Sequence, residues 1–111
     1  MKQYLTPEQT AKLIELGFEK PRYYSADKYT IIHTGFDIIN YSIGELIEML
    51  QKRVYQIEDS GIPCDLNIHY DGVTWLIVFI SERDGRFKTE MFDLIDALYL
   101  MVIKLKEEGV I

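Results

Sequence analysis

The chain has 111 residues, with 12 lysines and arginines against 18 carboxylates, so it carries a net charge of -6 and a pI near 4.8. The length suits one domain over residues 1–111 with a single core, the 48% apolar share excludes a disordered chain, and the acidic balance argues against binding to nucleic acid by counterion release. Cys64 is the only cysteine, which excludes an intrachain disulfide.

The first element is marked by Thr6-Pro7-Glu8-Gln9: a hydroxyl to cap, proline at the first helical position, and Gln9 placed to reach back to the cap amide. A helix over 7–16 follows, stopped by Gly17 in the left-handed conformation with Phe18 folding back on Leu13. Residues 19–28 read as an exposed connection, and Tyr29 to Thr34, β-branched and extended, as an edge strand. Ser42 with Glu45 three residues on forms a second capping box, with Tyr41 set to staple onto Leu46. The helix it starts, over 43–54, puts Ile43, Leu46, Ile47, Leu50 and Val54 on one stripe and Glu48 four residues before Lys52 on the wet side.

The centre of the chain is Asp65 to Ile80, a β-hairpin with Asp71-Gly72 as the two loop residues. That loop opposes Tyr70 to Val73, Ile68 to Trp75 and Leu66 to Ile77. One face then carries Leu66, Ile68, Tyr70, Val73, Trp75, Ile77 and Phe79, and the other Asp65, Asn67 and His69 beside Thr74, Leu76, Val78 and Ile80. The second strand is apolar on both sides, so a cover over Leu76, Val78 and Ile80 is expected. Glu82 to Gly85 is a turn, and 86–88 a short charged edge strand. A closing helix over 90–108, with Thr89 as its cap, has Leu100 in the middle of its polar side and Met101 and Ile103 at the borders. The fold class is α+β: a small antiparallel sheet with about three helices.

Catalytic chemistry finds little support. Cys64, His69 and His33, with Asp65 or Asp71, are the candidate metal ligands, but Cys64 and His69 lie five apart along a strand and point to opposite faces. Cys64 has no basic neighbour or helix N-terminus to activate its thiol. The pairs Asp93 with Asp96 and Glu107 with Glu108 fall on the solvent side of a helix, and the glycines are dispersed at turns and caps without a phosphate-binding loop. The tyrosines with Trp75 could stack bases, but the acidic balance removes the electrostatic funnel. No metal, cofactor or catalytic residue is expected.

The order LGF, YSIGELIEML, LNIHYDGVTWLIVF and FDLIDALYLMVIKLKEEGVI resembles a group of small proteins carried by prophages and related mobile elements of gut Bacteroidetes. The resemblance covers most of the chain from Thr6 onward and implies a bacterial or prophage setting. It brings no activity, cofactor or site residue.

The sequence thus points to a non-enzymatic protein that associates with itself or with a protein partner, with Leu76, Val78, Ile80, Leu100, Met101 and Ile103 as the candidate interface. A small-ligand binder or enzyme with a pocket near Trp75 and His69, and an acidic modulator of a nucleic-acid enzyme, are the competing readings. Glu8, Lys12 and Glu15 interrupt the N-terminus where a secretory signal would be apolar, and no run is long enough to span a bilayer; a soluble cytoplasmic protein without membrane contact is expected.

Overall fold

The structure, a computed structural model, describes residues 2–19, 21 and 40–111. Helix α1 spans Pro7–Glu15, α2 Ile43–Asp59 and α3 Leu94–Glu107; strands β1 Cys64–Tyr70, β2 Trp75–Ser81 and β3 Gly85–Met91 form one antiparallel sheet in that order. This is the expected α+β architecture. The strand expected over 29–34, and His33 with it, lies outside the described residues.

Both capping boxes form. Thr6 accepts from the Gln9 amide at 3.1 Å while the Gln9 side chain accepts from the Thr6 amide at 3.0 Å, and Ser42 and Glu45 make the same exchange at 3.2 Å each. At the end of α1, Gly17 takes φ +99° and the Phe18 amide donates to the Leu13 carbonyl at 3.1 Å, which closes the helix as its sequence required. The N-terminal strand segment is fastened to the start of α2: Leu5 donates to the Tyr41 carbonyl at 2.8 Å and Ile43 to the Gln3 carbonyl at 3.1 Å.

Helix α2 runs on past the expected residue 54 to Asp59, because Ile57 extends the stripe of Leu46, Leu50 and Val54 and is itself buried. The hairpin also departs from expectation, by two residues of register: Tyr70 opposes Trp75, Ile68 opposes Ile77 and Leu66 opposes Phe79. The cause lies in the loop. A loop centred on Asp71-Gly72 would need positive φ at Asp71, whereas here Gly72 alone takes it, at +98°, and the Asp71 carboxylate accepts from the Val73 and Thr74 amides at 2.8 Å each. A two-residue shift leaves every side chain on its original face.

Strand β3 is longer than the expected 86–88 and α3 correspondingly begins at Leu94 rather than 90. Phe87, Thr89 and Met91 alternate with Lys88 and Glu90, so strand periodicity holds to Met91. Thr89 is therefore no helix cap. It sits buried in β3 and donates to the Ala97 carbonyl of α3 at 2.8 Å.

Helices α2 and α3 pack on one face of the sheet, and α1 joins the same core through the buried Leu13. Ile77 and Phe79 are completely buried and join Leu46, Leu50, Leu98, Met101 and Leu105 in the core, with Leu66, Trp75 and Phe87 packed at its margin. α3 lies over β3 and β2, and α2 lies against α3 and β1. The end of α1 reaches α3 through Lys106, whose Nζ stands 5.5 Å over the Phe18 ring. The molecule is elongated, 50 × 33 × 20 Å. The cover expected over Leu76, Val78 and Ile80 is not supplied by any helix among the described residues, because α2 and α3 bury their apolar stripes on the inner face and α1 does not pack on the sheet.

Candidate functional site

The outer face of the sheet is read directly from the register. Three rows cross it: Asp65, Ile80 and Arg86; Asn67, Val78 and Lys88; His69, Leu76 and Glu90. The middle strand supplies an apolar line and the flanking strands supply charge. Ile80 is 41% exposed, Leu76 is half-buried and Val78 is buried to 7%. Glu90 accepts from the Thr74 hydroxyl at 2.7 Å and stands 3.8 Å from the Lys88 ammonium. Asp65 accepts from the Leu66 amide and the Asn67 side chain, both at 3.0 Å.

The inner face is covered over only part of its length. At the end nearest the β1–β2 loop, Tyr70 and Trp75 pack with ring centroids 4.9 Å apart and Met91 lies beside Trp75, while Val73 and Phe92 are exposed just beyond the strand ends. Phe92 is 75% exposed and Val73 65%. This aromatic end was not foreseen as a surface, since the sequence set Trp75 on one hairpin face with Ile77 and Phe79 and placed Met91 and Phe92 in the closing helix. The signal was there in the strand alternation of residues 87–91.

The expected interface set divides. Leu76, Val78 and Ile80 do share one face. Leu100 is exposed on α3 among Asp96, Lys104 and Glu107, with Ile103 half-buried beside it, and α3 packs on the opposite side of the sheet, so these two do not join the first three. Met101 leaves the set altogether: four residues after Ala97, it points with that residue toward the sheet and is completely buried.

The other candidates separate too. His69 and Trp75 occupy opposite faces, so a pocket shared by them does not form. Cys64 points to the inner face, away from His69, and burial, followed by the nearby Glu58 carboxylate, pushes its thiol pKa up, which favours the protonated thiol over the thiolate. No group of metal-ligating side chains comes together among the described residues. Asp93 stands at the N-cap of α3 and Asp96 pairs with Lys2 at 2.9 Å, which gives both acids structural positions. An open depression of about 730 Å³ lies along α2, lined by Phe18, Tyr41, Glu45, Met49, Arg53 and Tyr55. Two of its polar groups are engaged within the chain: Arg53 donates to the Val110 carbonyl, and Tyr41, pushed up to about 12 by burial and by Glu45 and Glu19, donates its hydroxyl to the Glu19 carbonyl.

No helix among the described residues is long and apolar enough to cross a membrane. The chain matches no protein-family model, no curated protein and no solved structure.

Proposed function

We propose that this chain is a non-enzymatic association module that binds protein, a second copy of itself or a partner, through its sheet. The observation that supports the reading is that, among the described residues, no helix lies on the outer face, where Ile80 is exposed although Val78 is buried among its neighbours, and that the inner face is uncovered at its aromatic end with Tyr70 and Trp75. Contiguous apolar surface rimmed by polar groups is the usual mark of a protein contact, and tyrosine and tryptophan are the side chains that most often anchor one. The reactive side chains expected to compete, Cys64 and His69, face apart, which favours binding over chemistry. A bacterial or prophage setting belongs to the same proposal.

Magnitude fixes the conditions of the test. Strands of seven residues give a sheet face about 23 Å long and about 14 Å wide. That is small beside the roughly 800 Å² per partner of a standard stable complex, so self-association belongs in the micromolar range. Sedimentation velocity from 1 to about 200 µM, on the wild type and on Ile80→Asp and Phe92→Asp, is the experiment. Concentration-dependent association abolished by either substitution supports the reading. A strict monomer, with no sheet-directed partner recovered by crosslinking from the native host, removes it.

A further inference from the structure

We infer that the outer face of the sheet binds a second copy of itself, with the two-fold axis running along β2. The inference rests on the association reading above and commits it to one surface and one occupant. The charge pattern across the three rows selects this arrangement. β1 carries Asp65 at one end and His69 at the other, and β3 carries Arg86 opposite Asp65 and Glu90 opposite His69.

Rotating one copy about an axis parallel to β2 lays β1 of each molecule over β3 of the other while keeping the level along the strands. Asp65 then meets Arg86 of the second copy, His69 meets Glu90, and Asn67 meets Lys88, each twice by symmetry. Ile80, Val78 and Leu76 meet their own counterparts along the axis. Two sheets packed face to face cross at about 30°, a twist that the long arginine side chain spans at the corners.

The alternative axis, perpendicular to the strands, is worse. It would pair Arg86 with Glu90 of the second copy, but it also sets Lys88 of edge strand β3 against its own counterpart and Asn67 against Asn67, so it leaves one like-charge contact that the axis along β2 avoids.

Two further observations point to a second copy as occupant. The chain is acidic at -6, yet this face holds two carboxylates, Asp65 and Glu90, against two cations, Arg86 and Lys88, so the repulsion between copies is absent where they would touch. Arg86 also makes no hydrogen bond or ion pair among the described residues, and each Asp65 carboxylate oxygen accepts one hydrogen bond, from the Leu66 amide and from Asn67, which leaves it lone pairs for an ion pair with Arg86 of the second copy.

The test is a charge swap read by sedimentation velocity at 1 to about 200 µM, with far-UV circular dichroism confirming that each exposed-site variant is folded. Arg86→Asp and Asp65→Arg alone should each weaken dimerisation about tenfold or more, and the double variant D65R/R86D should restore it to near the wild-type value. Ile80→Asp should give a monomer. Failure of the double variant to recover, or recovery by R86E/E90R instead, overturns the axis along β2. A dimer lost with Phe92→Asp but untouched by Ile80→Asp overturns the outer face while leaving the association reading standing. A monomer throughout overturns both.

Discussion

The Thr89 hydroxyl of β3 donates to the Ala97 carbonyl of α3 at 2.8 Å, eight residues further along the chain, and both residues are buried. The bond pins the first turns of α3 against the edge strand and so decides which side of the helix meets the sheet. Met101, one turn on from Ala97, is drawn inward with it, and Leu100 is turned out to water. Thr89→Val, which keeps the shape and removes the donor, should cost about 1 kcal/mol, since the carbonyl keeps its place in the helical ladder. Thr89→Ser should cost less. Urea unfolding of the three proteins measures this, and a Thr89→Val variant as stable as wild type would mean that packing alone orients α3.

Phe79 and Ile80 are neighbours in sequence on opposite faces of β2, the first completely buried and the second 41% exposed. Phe79→Ala should destabilise the protein by about 3–5 kcal/mol through lost burial and the cavity left behind. Ile80→Ala, measured at low micromolar concentration where the chain is monomeric, should change stability by less than about 0.5 kcal/mol. Equal effects would mean that the outer face is covered.

Tyr41 sets an alkaline limit. Its phenol is pushed up to about 12 from the ordinary 10.0 because ionisation would place a charge in a buried site beside Glu45 and Glu19. A folded-state value raised above the unfolded one contributes stability that is fully present below pH 10 and disappears as pH climbs through the interval from 10 to 12. Comparing wild type with Tyr41→Phe by thermal unfolding at several pH values isolates it from the other tyrosines: the wild type should lose more stability over that interval than the variant.

At the hairpin loop the sign is reversed. Amide donation from Thr74 and then Val73 holds the Asp71 carboxyl below its ordinary 3.8, so its contribution is present above that value and is lost as pH falls through the depressed one. An NMR titration should find the Asp71 midpoint below 3.8, and Asp71→Ala should lower the melting temperature at pH 7 while leaving a smaller difference at pH 2.5.

Much of this fold was legible in the sequence because the deciding interactions are local. Thr6 with Gln9, Ser42 with Glu45, and Gly17 with Phe18 each specify a helix end within a few residues, and period-two alternation assigns the two faces of the hairpin whatever the register. The register itself was misread because the loop is wider than two residues: the Asp71 amide donates to the Thr74 carbonyl at 3.2 Å and the Asp71 carboxylate accepts from the Val73 and Thr74 amides. Residues 89–91 fit a helix start as well as a strand end, and only pairing with Trp75, Leu76 and Ile77 decides for the strand. Which face the helices cover is a tertiary matter. The apolar line of Leu76, Val78 and Ile80 signalled a surface in need of a partner without saying whether that partner lies within the chain.

The most direct test of the account is a dilution series followed by methyl NMR. As concentration rises from about 10 µM to about 500 µM, the methyl resonances of Leu76, Val78 and Ile80 should shift together along one binding curve, while those of Leu98, Leu105 and Leu100 stay fixed. Shifts confined to Leu100 and Ile103 would move the contact to α3, and resonances that do not move at all would contradict association through the sheet.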